Sequence, residues 1–236
     1  MQHTAESISA RLLAMGNPDS AALSLRFFKT GPGEYAEGDK FAGLELRDLN
    51  ALVKETWKDT PLTACCELLQ SEWHECRTTA LAIMEKKYER GTEAEREQIF
   101  DAYLANTARI NNWDLVDMSA SHIVGPWLET RDRSILYTLA KSKLLWERRI
   151  AIISTLHYIK KDDFNDTLKI AEMLLNDKQD LMHKATGWML REVGKRNEKT
   201  LCGFLDVNAR KMPRTALRYA IEKMEPERRK YYMTLR

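Results

Sequence analysis

The chain has 236 residues, 44% of them hydrophobic and 31% charged, with a formal net charge of +2. These values fit a soluble globular protein of one large domain or two small ones. No apolar run approaches the roughly 20 residues of a membrane span, so a membrane protein of the helical kind is excluded.

The small net charge hides an asymmetry. Residues 141–236 hold 22 Lys+Arg against 13 Asp+Glu, whereas residues 1–140 hold 15 against 22. A basic C-terminal half points to an anionic partner on one face, with a solvated helix surface as the alternative.

In chain order, the opening stretch MQHTAESISARLLAMG lacks a basic start followed by an apolar block, so a secretory signal is not expected and a cytoplasmic location is. Apolar residues then recur at three- and four-residue spacings almost throughout, and strand signals are nearly absent. Gly16-Asn17-Pro18, Thr60-Pro61, Gly91-Thr92, Gly125-Pro126, Lys161-Asp162-Asp163 and Met212-Pro213 mark helix breaks. TGPGEYAEGDKFAG, residues 30–43, reads as an ordered loop linking two helices. It is no P-loop, because no Gly-Lys-Ser/Thr follows. Cys65, Cys66, Cys76 and Cys202 have no zinc-type pairing and read as reduced core residues.

Three stretches align without gaps: CRTTALAIMEKK (76–87), RRIAIISTLHYI (148–159) and HKATGWMLREVG (183–194). Each has a basic residue in second place: Arg77, Arg149 and Lys184. The separations fit a period near 36, that of a two-helix unit. The expected fold is therefore all-α: a single domain over 1–236, built as a HEAT-like helical-repeat solenoid with a concave basic groove.

INNWDLVDMSASHIVG, residues 110–125, reads as an amphipathic helix with Leu115, Val116, Ser119 and Ile123 on its core arc. Trp113 and Asp117, four apart, share a stripe away from that arc. Asp114 falls in the first turn, where a carboxylate favours the helix dipole. On residues 180–195 the core arc is Met182, Ala185, Met189, Leu190 and Val193. Lys184, Trp188, Arg191 and Lys195 form a separate stripe. An indole among three cations suits a nucleic-acid surface, where cations neutralise phosphates and the ring meets sugar or base. The alternative is a boundary core tryptophan with snorkelling neighbours. Arg149 falls on an apolar arc, so it either pairs internally between repeats or emerges to hold a phosphate.

WDLVD (113–117), WERRIAI (146–152), HKATGWMLRE (183–192) and RFFKTGPGEYAEGDKFAGL (26–44) together resemble the AlkD-like DNA glycosylases over roughly residues 5–225. The resemblance implies HEAT-like repeats and removal of N3- and N7-alkylated purines from double-stranded DNA. It implies Trp113, Asp117 and Trp188 as active-site residues and Arg149 as a backbone contact. Some members carry tyrosine where Phe27 stands. No cofactor or metal, no membrane and a monomer are expected.

The chemistry suits those residues. An N3- or N7-alkylated purine is cationic, so its glycosidic bond is already weak and the base leaves without protonation. What remains is to stabilise an oxocarbenium-like sugar and supply water, which one carboxylate can do. Tryptophan faces can hold the cationic base or sugar. Two rivals remain. A non-catalytic HEAT-like module binding branched DNA or protein would not need Trp113 beside Asp117. A metal-dependent hydrolase is suggested by WHEC (73–76), but His74-Glu75 lacks the second histidine of HExxH. His74, His122, His157 and His183 share no metal-like spacing and read as surface or boundary residues.

Overall fold

The computed structural model describes residues 2–235. Its helices are α1 (Ala5–Ala14), α2 (Pro18–Phe27), α3 (Leu46–Thr56), α4 (Leu62–Leu69), α5 (His74–Arg90), α6 (Glu93–Ala105) and α7 (Trp113–Trp127), with a 3-10 turn at Thr107–Arg109. They continue with α8 (Ser134–Ala140), α9 (Leu145–Ser154), α10 (Leu156–Ile159), α11 (Asn165–Met173), α12 (Asp180–Arg196), α13 (Glu198–Asn208), α14 (Arg214–Ala220) and α15 (Pro226–Thr234). Among the described residues there is no strand, only an isolated parallel bridge between Lys40 and Trp73. The all-α expectation holds, and no helix is long and apolar enough to cross a membrane.

The chain, expected as one domain, groups into two compact units, one up to Ser119 and the other from Ala120 on. Each is built around one 17-residue helix. In the first unit α5 packs against α1, α3, α4 and α6. In the second α12 packs against α9, α10, α11, α13 and α14. The core arcs read from periodicity are buried: Leu115, Val116, Ser119 and Ile123 on α7, and Met182, Ala185, Met189, Leu190 and Val193 on α12, are all 0% exposed.

Most of the sequence punctuation ends helices for identifiable reasons. Asn17 caps α2, its Oδ1 accepting from the backbone N–H of Asp19 and Ser20 at 3.0 Å each, with Pro18 at the first helical position. Thr92 and Glu95 close a reciprocal capping box at the start of α6. Gly125-Pro126 departs from expectation: α7 runs through both residues to Trp127. A proline in the last turn removes a single ladder bond, and its fixed φ is already helical. The 148–159 stretch, by contrast, breaks between α9 and α10. There Ser154 and Thr155 turn their hydroxyls back onto the carbonyls of Ile150 (2.6 Å) and Ile152 (2.7 Å).

The internal repeat is real, but its register differs by one residue from the ungapped alignment. The fourth residues of α5, α9 and α12 are Arg77, Arg148 and His183. Each donates to the carbonyl six residues upstream: Ser71 (2.9 Å), Ser142 (2.9 Å) and Asp177 (2.6 Å). Arg149 and Lys184 therefore do match each other, but their partner on α5 is Thr78 rather than Arg77. Both arginines of the set are also tied to an aspartate, Arg77 to Asp39 at 2.7 Å and Arg148 to Asp177 at 2.6 Å.

Candidate functional site

Trp113 opens α7, and its side chain is half-buried, as is that of Asp117 one turn on. The spacing puts them on one stripe, as expected, but what holds Trp113 comes from distant parts of the first unit. Its backbone N–H donates to the side chain of Asn112 at 2.8 Å. Its indole N–H donates to the Tyr35 hydroxyl at 3.2 Å. Phe28 stacks on the ring at 5.5 Å and 27°, and Phe27 meets it edge-on at 6.0 Å and 65°. Phe27 itself remains 65% exposed beside the indole, a conspicuous place for a large apolar ring.

Beneath this cluster lies a buried polar layer. Phe28 stacks on Phe41, and both lie against His74, which is 4% exposed. The imidazole is held from both sides: Nε2 meets Asp114 at 2.7 Å and Nδ1 meets Asp39 at 3.4 Å. Burial works against a charged His74, but the bonds to Asp114 and Asp39 outweigh it and raise its pKa. Burial likewise pushes the Asp39 carboxyl up, but its bond to His74 and the nearby charge of the Arg77 guanidinium together pull it below the ordinary range. Asp114 thus does more than complement the helix dipole, since it anchors the first turn of α7 to α5 through His74.

The 30–43 loop is ordered, as expected, and Glu75 is the reason. Its buried carboxylate accepts from the backbone N–H of Ala42 (2.9 Å) and Gly43 (2.8 Å). The His74 N–H donates to the Lys40 carbonyl at 2.8 Å. Gly43 sits at φ 79°, and a Cβ there would lie 2.2 Å from the Asn17 carbonyl oxygen, so no other residue fits. The WHEC stretch therefore serves the loop. Among the described residues no cluster of His, Cys, Asp and Glu could hold a metal.

In the second unit, Lys184, Trp188, Arg191 and Lys195 lie along α12, and Trp188 is half-buried. Every cation of the stripe has a carboxylate partner. Lys184 pairs with Asp180 at 2.8 Å, Lys195 with Glu192 at 2.7 Å, and Arg191 with Glu222. Glu192 also accepts the Trp188 indole N–H at 3.1 Å. Arg149 is 4% exposed, with Nη1 donating to the Leu181 carbonyl at 2.7 Å. Of the two roles the sequence left open, the buried guanidinium matches internal packing, tying α9 to the start of α12.

Sequence reasoning passed over Phe28, Tyr35, Asp39, Phe41 and Glu192, and it took His74 for a surface or boundary residue, whereas the bonds to Asp114 and Asp39 let that ring be buried. The aromatics in and beside a glycine-rich loop were the available signal, since rings in a loop need something to pack on. Two of the cysteines, Cys65 and Cys76, are core residues as expected, whereas Cys66 and Cys202 are only half-buried. Burial pushes the Cys65 thiol up to about 12, which makes it inert.

A family model described as "DNA alkylation repair enzyme" matches residues 8–224. Among solved structures, the chain is similar to "Predicted DNA alkylation repair enzyme from Enterococcus faecalis". That match has 20% identity and a TM-score of 0.69, covering 90% of this chain and 98% of the other. At that identity the likeness carries the fold alone. No curated protein matches the chain. The family match spans nearly the whole sequence, and the chain belongs to the DNA alkylation repair enzyme family.

Proposed function

We propose that this chain is a DNA glycosylase that hydrolyses the N-glycosidic bond of cationic N3- and N7-alkylpurines in double-stranded DNA. The observation that carries the reading is the half-buried Trp113, fixed by Tyr35 and Phe28, with Asp117 one helical turn away. A preorganised indole beside a carboxylate suits a positively charged nucleotide whose bond to sugar is breaking.

In this mechanism the C1′–N bond breaks with its electron pair going to the base, which leaves neutral. Asp117 stabilises the oxocarbenium-like sugar and orients water toward C1′. The proton released on water addition passes to the carboxylate or to solvent, leaving free base and an abasic site. Trp113 offers its indole face to the alkylated nucleotide, and Trp188 offers its own to alkylated DNA. Lys184, Arg191 and Lys195 take phosphates in exchange for their carboxylate partners Asp180, Glu222 and Glu192. Arg149 acts by positioning α12. No step of this chemistry calls for a cofactor.

The test is release of 7-methylguanine and 3-methyladenine from duplex DNA by the wild type and by Asp117→Asn. Base release by the wild type, slowed at least about a hundredfold in the variant with near-normal DNA affinity, is the expected result. A wild type that binds duplex without releasing base would favour a non-catalytic DNA-binding module.

A further inference from the structure

A second candidate site lies in the first unit, where α3, α4, α5 and α6 converge. It is a cavity of about 390 Å³ whose lining includes Trp57, Lys58, Lys87, Arg90, Glu95 and Gln98. That volume falls within the roughly 300–1,000 Å³ range of small-molecule sites. None of the lining residues belongs to the Trp113 cluster or to the α12 stripe.

The lining combines one indole with three cations. The Arg90 guanidinium carbon lies 5.5 Å from the Trp57 ring centre, and the Lys58 Nζ lies 5.7 Å from it. Lys87 reaches the same corner, its Nζ donating to the Lys58 carbonyl at 3.4 Å. None of the three pairs with a carboxylate among the described residues, whereas Arg11, Arg77, Arg133, Arg148, Arg191 and Arg196 all do. The one carboxylate in the lining, Glu95, is already engaged by the N–H and hydroxyl of Thr92, at 2.7 and 2.9 Å.

The C-terminal dipole of α5 accounts for a basic last turn, and Lys87 and Arg90 both lie there. It does not account for Lys58, which comes from the turn after α3, nor for gathering the charges around an indole over an open cavity. An anion alone would have no use for Trp57, and an uncharged ring would have no use for three unpaired cations. A ligand that joins the two is a phosphate-bearing aromatic.

We propose that this cavity binds a nucleotide, its base against Trp57 and its phosphate among Lys58, Lys87 and Arg90, with the Gln98 amide at the rim for the base edge. The nucleotide can be free or part of an unpaired DNA strand, and the chemistry of recognition is the same.

The test is calorimetric titration of the full chain with adenosine monophosphate, a short single-stranded oligonucleotide, adenosine and inorganic phosphate. At least one of the two nucleotide forms should bind tenfold or more tightly than both adenosine and phosphate. Trp57→Leu, and separately the double change Lys87→Gln with Arg90→Gln, should each weaken that binding at least tenfold. In an Arg191→Ala, Lys195→Ala background the loss caused by Trp57→Leu or by the Lys87/Arg90 change should persist, which keeps the result independent of the proposed glycosylase site. Equal binding of monophosphate and oligonucleotide assigns a free nucleotide, and binding of the oligonucleotide alone assigns a DNA strand. Phosphate or adenosine binding as tightly as the nucleotide overturns the proposal. So does the absence of nucleotide binding, or a charge variant that binds like wild type. Should Trp57→Leu fail to fold, the charge variant still decides, because it alters side chains at the rim.

Discussion

Trp113 and Trp188 are both half-buried indoles on helices, one in each unit, and they are held by opposite means. Trp113 sits among rings, with Phe28 stacked on it and the neutral Tyr35 hydroxyl on its N–H. Trp188 gives its N–H to the carboxylate of Glu192, which also holds Lys195. An aromatic cluster over a buried ionic layer is insensitive to salt and sets one geometry. A half-buried carboxylate shared between an indole and a more exposed lysine is partly screened and exchangeable. The first arrangement suits a position that must be preorganised, and the second a surface that trades its own carboxylates for phosphate.

The most direct challenge to this contrast is Asp117→Asn. Chemistry assigned to the Trp113 side predicts base release slowed about a hundredfold or more, near 2.7 kcal/mol, with stability and DNA affinity close to wild type. Single-turnover kinetics on 7-methylguanine duplex checks it, and full activity would remove Asp117 from the mechanism.

Next in size is Glu75→Ala. It strands the buried N–H groups of Ala42 and Gly43, at a cost of about 2–3 kcal/mol in denaturant unfolding. Loosening the loop that carries Phe41 and Tyr35 should slow base release more than it weakens duplex binding. Equal losses in both would mean that the loop does not set the Trp113 geometry.

On the α12 side, Arg191→Ala with Lys195→Ala should weaken binding to damaged and undamaged duplex alike. The salt slope of log K should fall by about 0.9 for each phosphate that is no longer neutralised. Trp188→Ala should instead weaken binding to alkylated DNA selectively. An unchanged slope in the double variant would take α12 off the DNA.

His74 gives a smaller, pH-dependent effect. Its pKa is raised in the folded state, so its stabilisation is fully present below the unfolded value of 6.5 and fades as pH rises through the folded value. Asp39 is lowered, so its contribution is present above the unfolded value of 3.8 and fades as pH falls through its folded value. His74→Gln should therefore flatten the loss of stability on the alkaline side of 6.5, read from melting temperatures across pH. A wild-type profile that rises there would contradict the charged His74 between Asp114 and Asp39. Smallest of all, Glu192→Gln should tighten duplex binding about two- to fivefold by releasing Lys195, measured at low salt.

The amino-acid order alone dictated the helices, their core arcs and the stripe that brings Trp113 and Asp117 together. All three follow from a periodicity that acts within one or two turns, where i and i+4 are neighbours whatever surrounds the helix. The paired-helix repeat was legible for the same reason, though a gapless alignment placed it one residue off at α5. The rest came from packing between distant segments. Phe27, Phe28 and Tyr35 meet Trp113, and His74 meets Asp114, across long stretches of chain, and no local period encodes those meetings. Arg149 and Lys184 hold equivalent positions on their helices, yet one is buried against Leu181 and the other pairs with Asp180 at the surface. Which cations stay open was equally invisible: Glu192 and Glu222 cover the α12 stripe, while Lys58, Lys87 and Arg90 pair with no carboxylate among the described residues. A charge announces itself in the sequence, but its partner is chosen by which helix packs beside it.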